Sequence, residues 1–194
     1  MLIRCAAIDP SMRNFGIAKV DIDLDDLSIS VVDLKLICTE SGTKKNKVVR
    51  KNSDDMRRAE EITLAMHDFV KDCQIVFGEI PSGGQSARAV FSFGLAIGVM
   101  AGLKVTNKPL IQIQPVETKL AAVGTRVASK EEMIEWAAEL YPNAPWLRAH
   151  NKPNGKPTLA NEHLADAMGV VHAGIKSDEF QRLRAVWRLQ PQAA

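Results

Sequence analysis

The chain has 194 residues, 46% of them apolar and 25% charged, values that suit one soluble domain with a real core. Its formal net charge is only +2, so global charge does not announce a nucleic-acid binder. Three scattered cysteines, Cys5, Cys38 and Cys73, have no metal-ligand spacing, and a reduced cytoplasmic setting is expected. Asp9 comes too early to leave room for a signal peptide's apolar stretch. The longest apolar run, Ala89 to Leu103, falls short of the roughly 20 residues of a bilayer span, so no membrane segment is expected.

Leu2 to Asp9 reads as a strand whose odd positions, Ile3, Cys5, Ala7 and Asp9, share a face. A turn at Pro10–Asn14 leads to a second strand, Phe15 to Asp21, and Ser28 to Cys38 supplies a third in an antiparallel meander. From Ser41 to Arg58 seven basic residues (Lys44, Lys45, Lys47, Arg50, Lys51, Arg57, Arg58) face two acids, a stripe that suits a polyanion. It opens a helix from about Ser53, a plausible N-cap, to Asp72. Gln74 to Ile80 reads as a strand, Gln85 to Lys104 as a long apolar helix, and Pro109 to Gln114 as another strand. Val116 to Ala122 and Ser129 to Leu140 read as helices on either side of a Gly124 turn. A loop from Pro142 to Pro157 precedes a last helix, about Thr158 to Ile175. Three antiparallel strands followed by two parallel ones predict a mixed five-stranded α/β sheet with helices on both faces. One domain is expected over 1–176, with 177–194 as a C-terminal tail.

Three acids stand where acids are costly. Asp9 ends an apolar strand, Glu79 ends the strand beginning Ile75-Val76-Phe77-Gly78, and Asp166 lies within the apolar helix segment Leu164–Met168. A buried carboxylate must be paired, protonated or bound to a cation. One such acid reads as a salt bridge or cap; three suggest a shared divalent site. His163 projects from the same helical face as Asp166, three residues earlier, and Glu162 lies near that face. Taken alone, His163 reads either as a ligand or as a helix histidine bonded to a neighbour. Hard oxygen donors with few nitrogens suit Mg²⁺ or Mn²⁺ better than Zn²⁺, and two such ions serve phosphodiester hydrolysis.

Ala7-Ile8-Asp9-Pro10-Ser11, followed by Gly16 and Ile17, resembles the first strand and turn of the RuvC-like Holliday-junction resolvases, of ribonuclease H-like fold. Val76 to Glu79 is similar to the strand delivering their second acid, and Gly94 to Gly102 to their long apolar helix. Pro115, Lys119, Gly124 and Ala128-Ser129-Lys130-Glu131 resemble their P-x-x-x-K … G-x-x-x-A-x-K segment, and His163 to Ala167 their closing helix. The resemblance runs from about Ile3 to Gly174 and extends to phage-type members. It implies a metal-dependent endonuclease that resolves four-way junctions, with Asp9, Glu79, His163 and Asp166 as the catalytic and metal-binding set. It also implies that Lys119 and Lys130 contact phosphates, solvated helix charges being the alternative. Lys44, Lys45, Lys47, Arg50 and Lys51 would add DNA grip.

Two departures matter. Where the family often has an aromatic wedge after the second acid, this chain has Pro81-Ser82-Gly83-Gly84-Gln85. The basic stretch from Lys44 to Arg58 also looks longer than the family's usual connection. Both leave room for a broader branched-DNA nuclease acting on forks and flaps, as in phage or plasmid DNA processing. An actin-like ATPase would need a second phosphate loop that Gly83-Gly84 is too slight to supply, and a non-catalytic DNA-binding scaffold would have no use for the acids. Gly94, Gly98 and Gly102 recur every four residues, so close packing is expected there, at a homodimer seam or against the domain's own sheet.

Overall fold

The structure, a computed structural model, describes residues 1–42, 50–152 and 155–189. Five strands form one mixed sheet in the order β3-β2-β1-β4-β5: β1 (Leu2–Asp9), β2 (Asn14–Asp23), β3 (Ile29–Cys38), β4 (Ile75–Glu79) and β5 (Leu110–Ile113). The first three pair antiparallel, and β4 and β5 continue parallel to β1. The helices are α1 (Lys51–Val70), α2 (Ala87–Val105), α3 (Pro115–Val123), α4 (Lys130–Leu140), α5 (Glu162–Gly174) and α6 (Asp178–Leu189).

The side-chain alternation of β1 divides the core. Ala6 and Ile8 join Val76 and the buried stripes of α1 and α2, among them Ile62, Met66, Val99 and Met100. Ile3, Cys5 and Ala7 face the opposite way, into a cluster with Ile75, Phe77, Met133, Leu164, Met168 and Phe180. The sheet is therefore covered on both faces, as its near-continuous apolar strands require. Helix α5 lies closest to it because its inner residues are small. A Cβ at Gly174 would clash with the ring of Phe77, and one at Gly169 would stand 2.8 Å from the Thr118 methyl. A larger residue at Gly174 would push the helix off the sheet, and one at Gly169 would push it off α3.

Three expectations need correction. Helix α1 begins at Lys51, with Arg50 as its cap residue and no side-chain cap bond, so Ser53 lies inside the first turn. Tertiary pairing sets this start: Asp54 accepts from the Gly42 amide at 3.2 Å, and Asp55 receives a two-pronged bond from Arg88 of α2. The last helix is shorter than its pattern, with a 3₁₀ turn at Leu159–Asn161 before α5. There the fully buried Asn161 brackets the backbone of Leu147, accepting from its amide and donating to its carbonyl. The segment expected only as a tail carries α6, whose Phe180 is buried with its ring 5.6 Å from that of Phe77.

Candidate active site

Parity along β1 and β4 decides where the acids point. Asp9 follows Ile3, Cys5 and Ala7, and Glu79 follows Ile75 and Phe77, all on the face that α5 covers. Ile8 pairs with Gly78 across the two parallel strands, so Asp9 and Glu79 end neighbouring strands at their carboxyl ends. Open α/β sheets commonly place ligands at that edge. Asp9 lies opposite Gly16 of β2, and a Cβ at Gly16 would come within 2.6 Å of the His163 carbonyl carbon. Only glycine admits α5 so close. The first turn of α5 thereby comes down on Asp9, and His163 Nδ1 lies 2.5 Å from Asp9 Oδ2.

The charge balance of this edge is unfavourable. Burial, then Asp9 and Glu79, push Asp166 up to about 8. Burial and Asp9 push Glu79 up to about 7, against smaller opposing effects of Thr118 and Lys119. Burial also raises Asp9 above the usual carboxylate range, although the His163 hydrogen bond acts the other way. Burial pulls His163 downward, yet its bond to Asp9 and the surrounding acids leave it net raised. Two carboxyls therefore titrate near neutrality because like charges share a partly desolvated edge.

Such a set fits a hard divalent cation. Asp9, Glu79 and Asp166 offer carboxylate oxygens, Glu162 adds another acid close enough to raise Asp9 and Asp166, and the only nitrogen donor is His163, whose Nδ1 is held by Asp9. Oxygen-rich sites of this kind suit Mg²⁺ or Mn²⁺. Among the described residues, no three His, Cys, Asp or Glu side chains converge on one point. The acids ring one edge without closing a shell.

Both candidate phosphate lysines stand at this edge, each with a partner. Lys119 lies near enough to act on Glu79 and donates to the Ala128 carbonyl at 3.0 Å. Lys130 pairs with Glu162 at 2.7 Å while two-thirds exposed. Arg50 and Lys51 are exposed where α1 starts, with Lys51 beside Gly42, Asp55 and Arg88. Lys44, Lys45 and Lys47 lie outside the described residues. Two features escaped the sequence reading. Thr118, buried on α3, donates to Glu79, and its only signal was its place beside Lys119. Arg58, also buried, donates to the Met12 carbonyl and to Thr39, tying α1 to the turn that follows Asp9.

The glycine stripe of α2 does not pack on the sheet. A Cβ at Gly94 or Gly98 would have nothing within 4 Å, and one at Gly102 would meet only His67 at 3.7 Å. Ala96, Val99, Met100 and Leu103 are the face turned inward, whereas Val90, Phe91, Ile97 and Val105 are exposed beside the glycines. By length and composition α2 would also pass for a membrane span, which the count of consecutive apolar residues missed. Its inward stripe is part of the domain core.

No family model matches the sequence, and no curated protein matches it. Solved structures do. Thermus thermophilus RuvC bound to a Holliday junction substrate superposes with a TM-score of 0.60 at 18% identity, over 88% of this chain and 92% of that one. A second T. thermophilus RuvC structure gives 0.57 at 20% identity, over 89% and 92%. The yeast mitochondrial Holliday junction resolvase gives 0.60 at 12% identity, over 95% and 80%. The chain has the RuvC-type resolvase fold. At these identities the likeness speaks for architecture, and the sheet order, the parallel β1–β4–β5 half and the helices on both faces agree with it.

Proposed function

We propose that this protein is a metal-dependent, structure-selective endonuclease of branched DNA, acting above all on four-way junctions. The observation that carries the reading is that Asp9, Glu79 and Asp166 lie around one sheet edge, near enough to raise one another, with two of them pushed to about 7 and about 8. The RuvC structure of the same fold that holds a Holliday junction substrate supports the substrate class. In this reading Asp9, Glu79 and Asp166, with His163 beside them, would hold the cations, and His163 orients Asp9 through Nδ1. Divalent ions such as Mg²⁺ or Mn²⁺, two of them if both places filled, would supply there a nucleophilic water at neutral pH and an offset for charge on the leaving oxygen. Lys119 and Lys130 take the neighbouring phosphates, Lys130 by exchanging Glu162 for the DNA. Arg50, Lys51 and the basic segment before them extend the contact without reading sequence. The open glycine face of α2 serves as the seam of a homodimer, which would set two copies of the site against the two strands of a junction. The free cysteines suit the cytoplasm of a bacterial or phage-infected cell.

A broader flap and fork activity is the second reading, favoured by the absence of an aromatic from Pro81 to Gln85. The first aromatic of α2, Phe91, is about half exposed with the Arg88 guanidinium over its ring, and it lies on the apolar face rather than beside Glu79.

Labelled four-way junction, fork and linear duplex, each with and without Mg²⁺ or Mn²⁺, test both readings. Metal-dependent cutting of branched forms and sparing of duplex are expected. Asp9→Asn and Asp166→Asn should lower the rate by orders of magnitude with junction binding kept. If both variants cut at the wild-type rate, the assigned site is wrong.

A further inference from the structure

Thr118 is 1% exposed, on the side of α3 that faces the acids. Its hydroxyl lies 2.7 Å from Glu79 Oε2 and 3.4 Å from the Gln114 carbonyl. A hydroxyl has one proton to donate, and the shorter, charge-assisted bond takes it. The methyl end of the same side chain packs on Gly169, three residues beyond Asp166 and one turn along α5. A single residue thus touches both the second acid and the helix that carries the third. Glu79 Oε1 accepts no hydrogen bond from the described residues and is not sealed from solvent.

We infer that Thr118 is a positioning residue for the proposed metal site. Its hydroxyl fixes the Glu79 carboxylate through Oε2 and leaves Oε1 to turn toward Asp9 and Asp166. The inference rests on the nuclease reading. The hydroxyl is the part that acts on the carboxylate, and the methyl acts only on packing, so the two roles separate by substitution. Thr118→Val keeps the shape and removes the donor. Thr118→Ser keeps the donor and removes the methyl.

The test is Mn²⁺ binding to the DNA-free protein by isothermal titration, with thermal melts in chelator alongside. Partners that orient metal ligands are worth about 10- to 100-fold in affinity, and Thr118→Val should weaken Mn²⁺ binding on that scale. Thr118→Ser should bind Mn²⁺ as the wild type does, even if it melts lower. Should the valine variant fail to melt cooperatively, Thr118→Ala against Thr118→Ser makes the same comparison, since both lack the methyl and only one keeps the hydroxyl. Equal affinity with and without the hydroxyl overturns the assignment, as does an equal loss in the valine and serine variants, which would make packing responsible. A wild type that takes up no Mn²⁺ sinks the nuclease reading itself, and this inference with it.

Discussion

Replacing Asp166 by Asn removes one of the negative charges that α5 holds against Asp9 and Glu79. The carboxyl is half-buried and pushed up to about 8 from its ordinary 3.8, first by burial and then by the two neighbouring acids. A carboxyl whose folded pKa lies above its unfolded one contributes its full stability below the unfolded pKa, near pH 4, and loses it as pH rises through the folded value. Metal-free wild type should therefore weaken between about pH 4 and pH 8, and Asp166→Asn should not share that part of the loss. At 1.36 kcal/mol per pKa unit the gross effect is on the order of 5 kcal/mol. Solvent reaching the carboxyl, repulsion shared with Glu79 and the burial cost of the amide reduce this to roughly 2 kcal/mol. For a domain of this size that amounts to roughly 4–8 °C in Tm. Thermal melts of both proteins in chelator at pH 5 and pH 8 measure it. The variant's advantage over the wild type should be small at pH 5 and larger at pH 8, and the variant should lose the further Tm gain that Mn²⁺ gives the wild type at pH 8. A Tm difference that is the same at both pH values would refute the charge argument.

Gly98→Leu should shift the protein from dimer to monomer by light scattering, and paired incisions of a junction should fail before single ones. The variant's own fold should not suffer, because a side chain there meets open space and leucine favours helix by about 1 kcal/mol over glycine. A wild type that is monomeric at micromolar concentration, on DNA as well as off it, refutes the seam. Replacing Lys44, Lys45 and Lys47 together with Ala should weaken junction, fork and duplex about equally. It should also flatten the dependence of log affinity on log salt by about 2–3, at roughly 0.9 per phosphate contact. An unaltered slope would remove those lysines from the DNA contact.

The sheet was legible because its signal is local. Alternation along Ile3, Cys5, Ala7 and Asp9 needs no partner to be read, and Ile3, Cys5 and Ala7 do share the face that α5 covers. The order of strands and helices followed from the same periodicities. What stayed hidden depends on approach between distant segments. Gly16 reads as a turn residue, yet its role is to let the His163 backbone come down on Asp9. Thr118 looks like an ordinary helix residue until Glu79 is placed 2.7 Å away. The start of α1 was misplaced because Asp54 and Asp55 answer to Gly42 and Arg88, not to a local cap. Helix α6 was missed although Phe180, Leu183 and Trp187 form an amphipathic stripe that packs on the core.

The cost of the carboxylate edge bears on the choice between an enzyme and a binding scaffold. Lys130 is committed to Glu162 and Lys119 to the Ala128 carbonyl, and among the described residues Asp9, Glu79 and Asp166 have one ion-pair partner between them, His163 on Asp9. Among the described residues the other buried charges, Asp54, Asp55 and Arg58, are all paired. Asp55, 3% exposed, meets both Arg58 and Arg88, and its carboxyl is held below the usual range. The same chain thus neutralises one buried acid with two guanidiniums and leaves Asp9, Glu79 and Asp166 short of compensation. A scaffold that only grips DNA gains nothing from that arrangement, since uncompensated carboxylates repel phosphate and weaken the fold above neutral pH. A site that draws divalent cations between protein and phosphate gains both its affinity for the metal and its chemistry from the same excess charge. The local breach of charge pairing is therefore the strongest structural support for the nuclease reading.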